Sequence, residues 1–467
     1  MNQGREHIQN WTALCGRYLP FVSSDAKWRL SRAVRPGDPD QGWKLHLSAT
    51  LLSAGEMLQK VGPVLQAGGV LFKAPASLGE LSRINSGLIY GYSQVGKVIT
   101  VYPQDSEEAV RLAHQLSELT FGMAGPAVPF DRQFRPGSCL YYRYGAFKEL
   151  DIQSPNSAPI PAIRNPEGNL IPDCRQSWAS ELSWLSDPFI TSGPPSGLAK
   201  QTSPDSPLKT TFRVFRALSQ RGRGGVYQAV DLRFQPPRLC ILKEGRRHGE
   251  TGLDGLDGSH RIRREAQALS RLQKCGIEVP EVYAVFEVEG HSYLAMEHIP
   301  GESLHSLLLK RKRRFPIPQV LRYLIQIAEI VARLHAAGWA WRDCKPGNLL
   351  LTRTGQFRPI DFESACLATC AEPLLWRTSG FTPPESDTGA GGSISDDLYA
   401  LGACLYLLLT GRIPTISNPA PANAWRRNLP DELLAITSKL LAPEPRLRPS
   451  ATVVSERLKG ILASYQH

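Results

Sequence analysis

Alternating apolar and polar positions predict β-strands in the N-terminal part of the chain. In residues 43–50, WKLHLSAT, every second residue is apolar. Successive side chains of a strand point to opposite faces, so this pattern puts Lys44 and His46 on one polar face. Residues 98–103 (VITVYP) and 139–147 (CLYYRYGAF) are predicted as further strands. The polar face is either solvated surface or the floor of a site, and this stretch alone favours solvated surface.

Helical and linker patterns complete the expected organisation. Asp105 precedes SEEAVRLAHQLSELTF, with Glu108 three residues on, which predicts a capping box and an amphipathic helix. Strands mixed with helices predict a small α+β domain over residues 1–190. A stretch rich in Pro, Ser, Gly and Thr predicts a linker at 191–209. Residues 210–467 then form a second domain.

Composition narrows the class of protein and of partner. The 467 residues are 42% hydrophobic and 21% charged, which is ordinary for a folded domain, and the net charge of +11 favours an anionic partner. No repeated nucleic-acid module is present, so no nucleic-acid partner is expected. The N-terminus lacks a signal peptide, and the most apolar run, ALGACLYLLL at 400–409, is too short for a membrane span. Nine scattered cysteines fit a reducing compartment, so we expect a cytoplasmic protein without a membrane partner.

The second half opens with features suited to nucleotide phosphates. Gly222, Gly224 and Gly225, in RGRGGVYQAV, stand just before a predicted strand. Glycines there allow backbone amides to approach phosphates. Lys243 follows on the next apolar strand, and Glu265 on a pattern with helical period. A strand lysine held by a helix glutamate can orient the α- and β-phosphates.

The strongest signal is the segment WRDCKPGNLLL at residues 341–351. It places Asp343, Lys345 and Asn348 at the spacing D-x-K-P-x-N, and Asp361 follows at the end of an apolar strand. Three more charged residues follow in the motifs PPE, SDDLYALG and RLRPSA: Glu385, Asp397 and Arg448.

With these motifs in this order, the second half resembles the eukaryotic-type protein kinase family. The resemblance implies a bilobal fold that binds ATP, or another nucleoside triphosphate, and Mg²⁺ between its lobes. It implies that Lys243 contacts the phosphates and that Glu265 holds it. Asp343 would take the proton from a Ser or Thr hydroxyl, and Lys345 would steady the transferring phosphoryl group. The remaining roles concern magnesium (Asn348 and Asp361), a structural ion pair (Glu385 and Arg448) and support of the catalytic loop (Asp397).

Three departures from the kinase pattern leave a pseudokinase open as an alternative. Trp341 stands where the family usually has His, which weakens a structural tie. The usual D-F-G reads D-F-E, with Glu363 in place of the hinge glycine. Counting back from Val226, only Gly224 falls in register with G-x-G-x-x-G. However, the lysine and both aspartates that the chemistry needs are present.

Cations on predicted strand ends give the first half a possible chemistry. Lys73 in VLFKAP, Lys97 in VGKVITVYP and Arg143 in YYRYGAF join Lys44 and His46, with few acids expected nearby. Such a set suits β-elimination of phosphate from phosphoserine or phosphothreonine. That reaction needs a base for the α-proton, an acid for the leaving oxygen and fixed positive charge for the dianion.

The segments WKLHLSAT, LFKA, GKVITVYP and YYRYGAF resemble, in this order, the lyase domain of class III lanthipeptide synthetases. That domain is similar to bacterial effector phosphothreonine lyases. The resemblance implies Lys73 as the base and His46 as the acid. It implies Lys44, Lys97 and Arg143 as phosphate ligands. The segment GLIYGYSQVGK departs from the family pattern, because it lacks the arginine that the resemblance would place there as part of the phosphate clamp.

Together the two halves predict a bifunctional peptide dehydratase acting on a precursor peptide with a leader. The chain stops at His467, just after the last kinase helices, so we expect no cyclase domain, as in avionin-type pathways where a separate peptide decarboxylase is a partner. A piece of a longer protein would end in the same way. Two alternatives stay open: a signalling Ser/Thr kinase with an N-terminal phosphopeptide-binding domain, and a pseudokinase scaffold.

Overall fold

The protein is described from a computed structural model, which covers residues 2–153, 159–173, 182–190, 206–311, 313–369, 378–388, 394–415 and 429–465. By its internal contacts the chain divides into two compact units. The first consists of Met1–Arg238, Leu242–Ile262 and Phe286–Tyr293, and the second of the remaining residues. Most of the predicted linker lies outside the described residues, and the predicted domain boundaries stay predictions.

An antiparallel sheet backed by helices forms the N-terminal part of the first unit. Its strands are β1 (Phe21–Val22), β2 (Trp28–Leu30), β3 (Gln41–Leu47), β4 (Leu71–Pro75), β5 (Ile99–Tyr102), β6 (Arg132–Gln133) and β7 (Leu140–Ala146). Its helices are α1 (Asn2–Tyr18), α2 (Ala54–Ala67), α3 (Leu78–Ser86) and α4 (Ser106–Leu119). The strand order is β1-β2-β4-β5-β3-β7-β6. This arrangement confirms the predicted α+β class, although β3 ends at Leu47 and does not continue to Thr50.

The period of two along these strands separates an apolar face from a polar one. Leu45, Phe72, Val101 and Leu140 are fully buried in the core that the sheet shares with the helices. The residues that alternate with them point to the opposite face. Helix α4 starts at the predicted cap, where the Asp105 side chain accepts a hydrogen bond from the backbone N–H of Glu108.

Shorter elements follow the sheet. Strands β8 (Asp151–Ile152), β9 (Ile160–Arg164) and β10 (Leu170–Pro172) pair in the order β10-β9-β8, and a single helical turn, α5, spans Pro207–Thr210. The next strands are β11 (Phe212–Arg221), β12 (Gly224–Asp231), β13 (Arg238–Gly245), β14 (Val282–Val288) and β15 (His291–Glu297), with helix α6 (Gly258–Lys274) between β13 and β14. These five strands form a sheet in the order β11-β12-β13-β15-β14.

The remaining part of the second unit is mainly helical. Its helices are α7 (Leu304–Lys310), α8 (Ile317–Ala336), α9 (Ile394–Thr410), α10 (Asp431–Leu440) and α11 (Ala451–Ser464). Its strands are β16 (Gly301–Ser303), β17 (Trp339–Ala340), β18 (Leu349–Thr352), β19 (Phe357–Pro359) and β20 (Cys366–Leu367). The apolar run 400–409 lies within α9 and is buried almost all round, as predicted. Within the described part of the chain, no helix has the length and apolarity that crossing a bilayer requires.

Candidate functional sites

The five basic residues singled out in the first half surround one cavity on the polar face of the N-terminal sheet. This cavity, here called the cationic cavity, has a volume of about 120 Å³. Its lining residues are Trp28, Lys44, His46, Lys73, Gln94, Lys97, Thr100, Tyr102 and Arg143. His46 is only 4% exposed, so the polar face of β3 is not solvated surface at this position.

Strand register explains why these residues meet. Thr100 on β5 is the cross-strand partner of both Lys73 on β4 and His46 on β3. Cross-strand partners share a face of the sheet, so the three side chains form a row. Lys73 and His46 are separated by two strand spacings, about 10 Å, with the small Thr100 between them. Lys44 pairs in the same way with Arg143 on β7.

An aspartate that the sequence analysis missed anchors one side of the cavity. The Asp131 carboxylate lies 2.5 Å from Nδ1 of His46 and accepts a hydrogen bond from Nζ of Lys97 at 2.8 Å. Its side chain is 1% exposed. The expectation of few acids near these cations was therefore wrong. Asp131 stands in a loop without a period, where no pattern marks it out.

Burial and the neighbouring charges set the protonation of this pair. Burial lowers the pKa of His46 to about 3, although the Asp131 carboxylate acts to raise it, and Lys97 and Lys44 lower it further. Burial alone would raise the pKa of Asp131, but the charge of Lys97, together with the hydrogen bond from His46 and the charge of Arg143, outweighs burial and holds that pKa well below its usual value. Asp131 is therefore a carboxylate, and His46 is neutral in the empty cavity.

The other cations of the cavity also have defined neighbours. Asp173, a second missed acid, receives hydrogen bonds from both terminal nitrogens of the Arg143 guanidinium, at 2.6 to 2.9 Å. The ammonium of Lys73 lies 4.3 Å from the ring centre of Trp28. Arg143 is thus fixed in orientation, and Lys73 lies against an aromatic face that favours a cation.

The glycine-rich segment of the second half touches the N-terminal domain within the first unit. The backbone N–H of Gly222 donates to the carbonyl oxygen of Ser86 at 3.0 Å, and a Cβ on Gly222 would overlap the carbonyl of Asn85. The N–H of Gly222 is therefore engaged, which differs from its predicted use for a phosphate. Gly224 has a φ of +156°, and it begins β12 together with Gly225.

Lys243 and Glu265 occupy the kinds of element that the sequence predicted. Lys243 lies on β13 and is 9% exposed, and Glu265 lies on α6 and is 1% exposed. The Glu265 carboxylate accepts a hydrogen bond from the backbone N–H of Phe362 at 3.0 Å. This bond ties α6 to the D-F-E segment. The pairing of Lys243 with Glu265 stays a prediction.

The D-x-K-P-x-N segment forms a compact polar cluster in the second unit. The Asp343 carboxylate accepts hydrogen bonds from Nζ of Lys345 at 2.9 Å and from the side-chain amide of Asn348 at 2.7 Å. Burial raises the pKa of Asp343; Lys345 opposes this shift and the Asp361 carboxylate adds to it. Because Asn348 uses its NH₂ group on Asp343, its carbonyl oxygen remains for a hard cation such as Mg²⁺.

The D-F-E segment adopts a backbone conformation that is rare for residues with side chains. Asp361 has a φ of +66°. Such conformations persist where the surrounding structure holds them and often occur at functional sites. The indole of Trp341 donates to the carbonyl of Asp361 at 3.0 Å and stacks on Phe362 at 5.5 Å. The sequence predicted that replacing the usual His with Trp341 weakens a structural contact. Trp341 instead contacts the D-F-E segment through this hydrogen bond and this stacking. Glu363 does not have a positive φ, so replacing the hinge glycine imposes no left-handed strain.

Two predicted supporting interactions are confirmed. Asp397 accepts hydrogen bonds from the backbone N–H groups of Trp341 and Arg342, at 2.8 and 2.6 Å, and so braces the segment before Asp343. The guanidinium of Arg448 donates two hydrogen bonds to the Glu385 carboxylate, at 2.5 and 2.9 Å.

Comparisons with known proteins agree with this division of features. Residues 21–200 match the family model described as RamC, N-terminal domain, and residues 223–458 match the protein kinase domain. The probable SapB synthase of Streptomyces coelicolor is 32% identical over 394 residues, which is 81% of this chain and 40% of that protein. The serine/threonine-protein kinase PknA of Mycobacterium tuberculosis is 32% identical over 214 residues, 44% of this chain and 48% of the kinase. Serine/threonine-protein kinase F of Synechocystis is 30% identical, over 54% of this chain and 56% of its own length.

These matches identify the family of the chain and the order of its two domains. The chain belongs to the protein kinase family, and the RamC N-terminal domain ahead of its kinase domain is the arrangement of class III lanthipeptide synthetases. The kinase match and the kinase relatives support Ser/Thr kinase activity, which in general uses ATP and a divalent metal. The chain spans about half the length of these relatives or less.

Proposed function

We propose that this chain is a peptide dehydratase with two activities. It phosphorylates Ser and Thr residues of a ribosomal precursor peptide, and it then eliminates the phosphate to leave dehydroalanine or dehydrobutyrine. The observation that carries the proposal is the row Lys73–Thr100–His46 on the floor of the cationic cavity. Its spacing of about 10 Å leaves room for a phosphorylated side chain between a base and an acid.

The kinase step uses the polar cluster around Asp343. Asp343 accepts the proton of the Ser or Thr hydroxyl, whose oxygen attacks the γ-phosphorus of ATP as the bond from that phosphorus to the bridging oxygen breaks and ADP leaves. Lys345 contacts and stabilises the transferring phosphoryl group. Lys243, Gly224 and Gly225 contact the other phosphates. Asn348 and Asp361 would hold Mg²⁺, which neutralises charge on the phosphates when bound.

The lyase step uses the cationic cavity. The amine of Lys73 takes the α-proton, the Cα–H electrons form the Cα=Cβ bond, and the Cβ–O bond breaks with its electron pair going to phosphate. Nε2 of His46 protonates the departing oxygen. Lys44, Lys97 and Arg143 stabilise the negative charge of the phosphate throughout. The products are the dehydrated residue and inorganic phosphate.

A phosphate dianion also resolves the protonation of His46. Burial and the surrounding cations keep the imidazole neutral in the empty cavity. The dianion adds two negative charges beside His46 and so favours its protonated form. His46 is thereby prepared as an acid when substrate is bound.

The substrate and partners follow from the same proposal. One relative is named a probable SapB synthase. From the resemblance to class III lanthipeptide synthetases, this chain would act in the cytoplasm on a precursor peptide with a leader. A separate peptide decarboxylase stays a prediction from the sequence. A short Ser-rich peptide encoded beside this chain's gene would be the precursor to test.

Product mass after incubation of precursor with ATP and Mg²⁺ tests the proposal. The wild-type protein should leave the peptide lighter by one water per modified residue. His46→Ala and Lys73→Ala should each leave it heavier by phosphate, with little dehydrated product. A signalling kinase would give the heavier peptide with the wild type, and a pseudokinase scaffold would leave the mass unchanged. Either result with the wild type contradicts the proposed function.

A further inference from the structure

Resting on the proposed function, we propose that Asp131 is a positioning residue of the lyase site. Its carboxylate holds the ring of His46 and the amine of Lys97 in one orientation, with Nε2 of His46 directed at the departing oxygen. It also supplies the fixed negative charge that allows His46 to become an acid when phosphate binds. Asp131 itself does not touch the substrate.

The hydrogen-bond geometry supports the orienting role of Asp131. One Asp131 oxygen lies 2.5 Å from Nδ1 of His46, and the other accepts from Nζ of Lys97 at 2.8 Å. Since Asp131 is ionised, Nδ1 carries the proton of this bond. His46 also lines the cationic cavity, so Nε2 is the nitrogen left to address a ligand there. One carboxylate therefore fixes the tautomer of the acid and the position of a phosphate ligand.

The loop that carries Asp131 is anchored on both sides. Phe130, the preceding residue, has a φ of +65° and packs edge-on against Tyr92 at 5.8 Å. Arg132, the following residue, begins β6 and forms an ion pair with Asp187 at 2.5 Å. A non-glycine residue in the left-handed region costs free energy and persists where its surroundings hold it. The carboxylate is thus placed by packing before any ligand arrives.

The balance of charges around His46 supports the second role of Asp131, which is to allow protonation of His46 when phosphate binds. Lys44 on β3, Lys97 before β5, Lys73 on β4 and Arg143 on β7 line the cavity. Of these, Lys97 and Lys44 disfavour a proton on His46. The Asp131 carboxylate contacts the ring of His46. A phosphate monoester has a second pKa of about 6, so a bound monoanion can pass its proton to Nε2 of His46 and remain as a dianion. When the Cβ–O bond breaks, that proton returns to the departing oxygen.

Asp131→Asn removes the charge and keeps the shape. In a synthetic precursor peptide with one phosphoserine, we expect the kcat of elimination to fall about 100-fold or more, within the range for general acid catalysis. The falling limb of the pH profile at high pH should move to lower pH, because the imidazolium loses its carboxylate. Phosphorylation of unmodified precursor should keep its wild-type rate. A residue that only stabilises the fold would leave the pH limb in place.

Asp38→Asn is the matched control. Asp38 is 9% exposed and pairs with Arg32 in the same domain, but it does not line the cationic cavity. This variant should keep the wild-type kcat and pH profile. Asp131→Asn with wild-type kcat and an unmoved pH limb would overturn the positioning role. Failure of the wild-type protein itself to release phosphate would instead overturn the proposed function.

A measurement on the wild-type protein covers the case in which Asp131→Asn does not fold. In ¹⁵N NMR spectra of the ligand-free protein, the His46 ring should show a protonated Nδ1 and an unprotonated Nε2. Addition of inorganic phosphate as a probe should protonate Nε2 at a pH where the free protein keeps it bare. A bare Nδ1 in the free protein, or no proton uptake with saturating phosphate, would contradict the inference.

Discussion

The backbone N–H of Gly222 donates to the carbonyl oxygen of Ser86 at 3.0 Å, so the glycine-rich segment rests on the N-terminal domain. Next to Ser86, the side chain of Asn85 bonds the carbonyl of Ala49 and the N–H of Gly96. Gly96 immediately precedes Lys97 of the cationic cavity. The segment from Asn85 to Lys97 therefore connects the phosphate loop expected for the kinase with the cavity proposed for elimination.

Gly222→Ala tests this contact. The added Cβ would overlap the carbonyl of Asn85, which is backbone and cannot rotate away. Overpacking of this kind costs about 1–3 kcal/mol, so the first thermal unfolding transition should move down by several degrees. Gly37→Ala is the control, because a Cβ there meets no atom within 4 Å. Equal melting of both variants would show that the contact does not form.

Trp28→Leu tests the aromatic face beneath Lys73. When Lys73 takes the α-proton it becomes an ammonium 4.3 Å from the centre of this ring. Losing a cation–π contact of about 0.5–2 kcal/mol should slow elimination about 2- to 30-fold and leave phosphorylation unchanged. Trp184→Leu, which changes a tryptophan outside the cavity lining, should leave both rates unchanged. An elimination rate equal to that of Trp184→Leu would show that the ring does not support Lys73 in the reaction.

Acid sensitivity of the fold reports on buried His46. Its pKa of about 3 lies below the value of about 6.5 for an unfolded histidine. Between these values the unfolded chain binds more protons at this position, so this contribution to stability is present above pH 6.5 and is lost as pH falls. His46→Gln should therefore lose less thermal stability than the wild type between pH 6.5 and 4. The melting temperature of each protein is compared with its own value at pH 7.5. If the two melting temperatures fall equally as the pH is lowered, His46 is not a buried neutral imidazole.

Two arginines close in sequence allow the contribution of a buried ion pair to be compared with that of an exposed one. The Arg448 side chain is fully buried against Glu385, whereas Arg446 is 88% exposed beside Glu444. Breaking a buried pair leaves a charge without its partner and costs about 3–5 kcal/mol, while an exposed pair contributes little. Arg448→Met should therefore lower the melting temperature of the kinase domain clearly, and Arg446→Met should not. Equal effects would mean that the Glu385 pair is not structural.

Short-range patterns account for what the sequence predicted. The spacing of Asp343, Lys345 and Asn348 is visible because these residues lie within six positions of one another. Lys44 and His46 stand out because a strand repeats every two residues. Asp131 and the Ser86 contact could not be predicted, because they come from loops and join residues far apart along the chain. The Lys73–Thr100–His46 row depends on the strand order β4-β5-β3, which the sequence does not state.

Release of inorganic phosphate from a synthetic phosphoserine precursor, without ATP, tests the central claim most directly. Because phosphorylation is bypassed, the assay isolates the cationic cavity. The wild-type protein and the kinase-deficient variant Asp361→Ala should both release phosphate and leave dehydroalanine. Lys73→Met should release none, whereas Lys60→Met, which alters an exposed lysine of α2, should match the wild type. A wild-type protein that phosphorylates the precursor but releases no phosphate from the phosphopeptide would contradict the account.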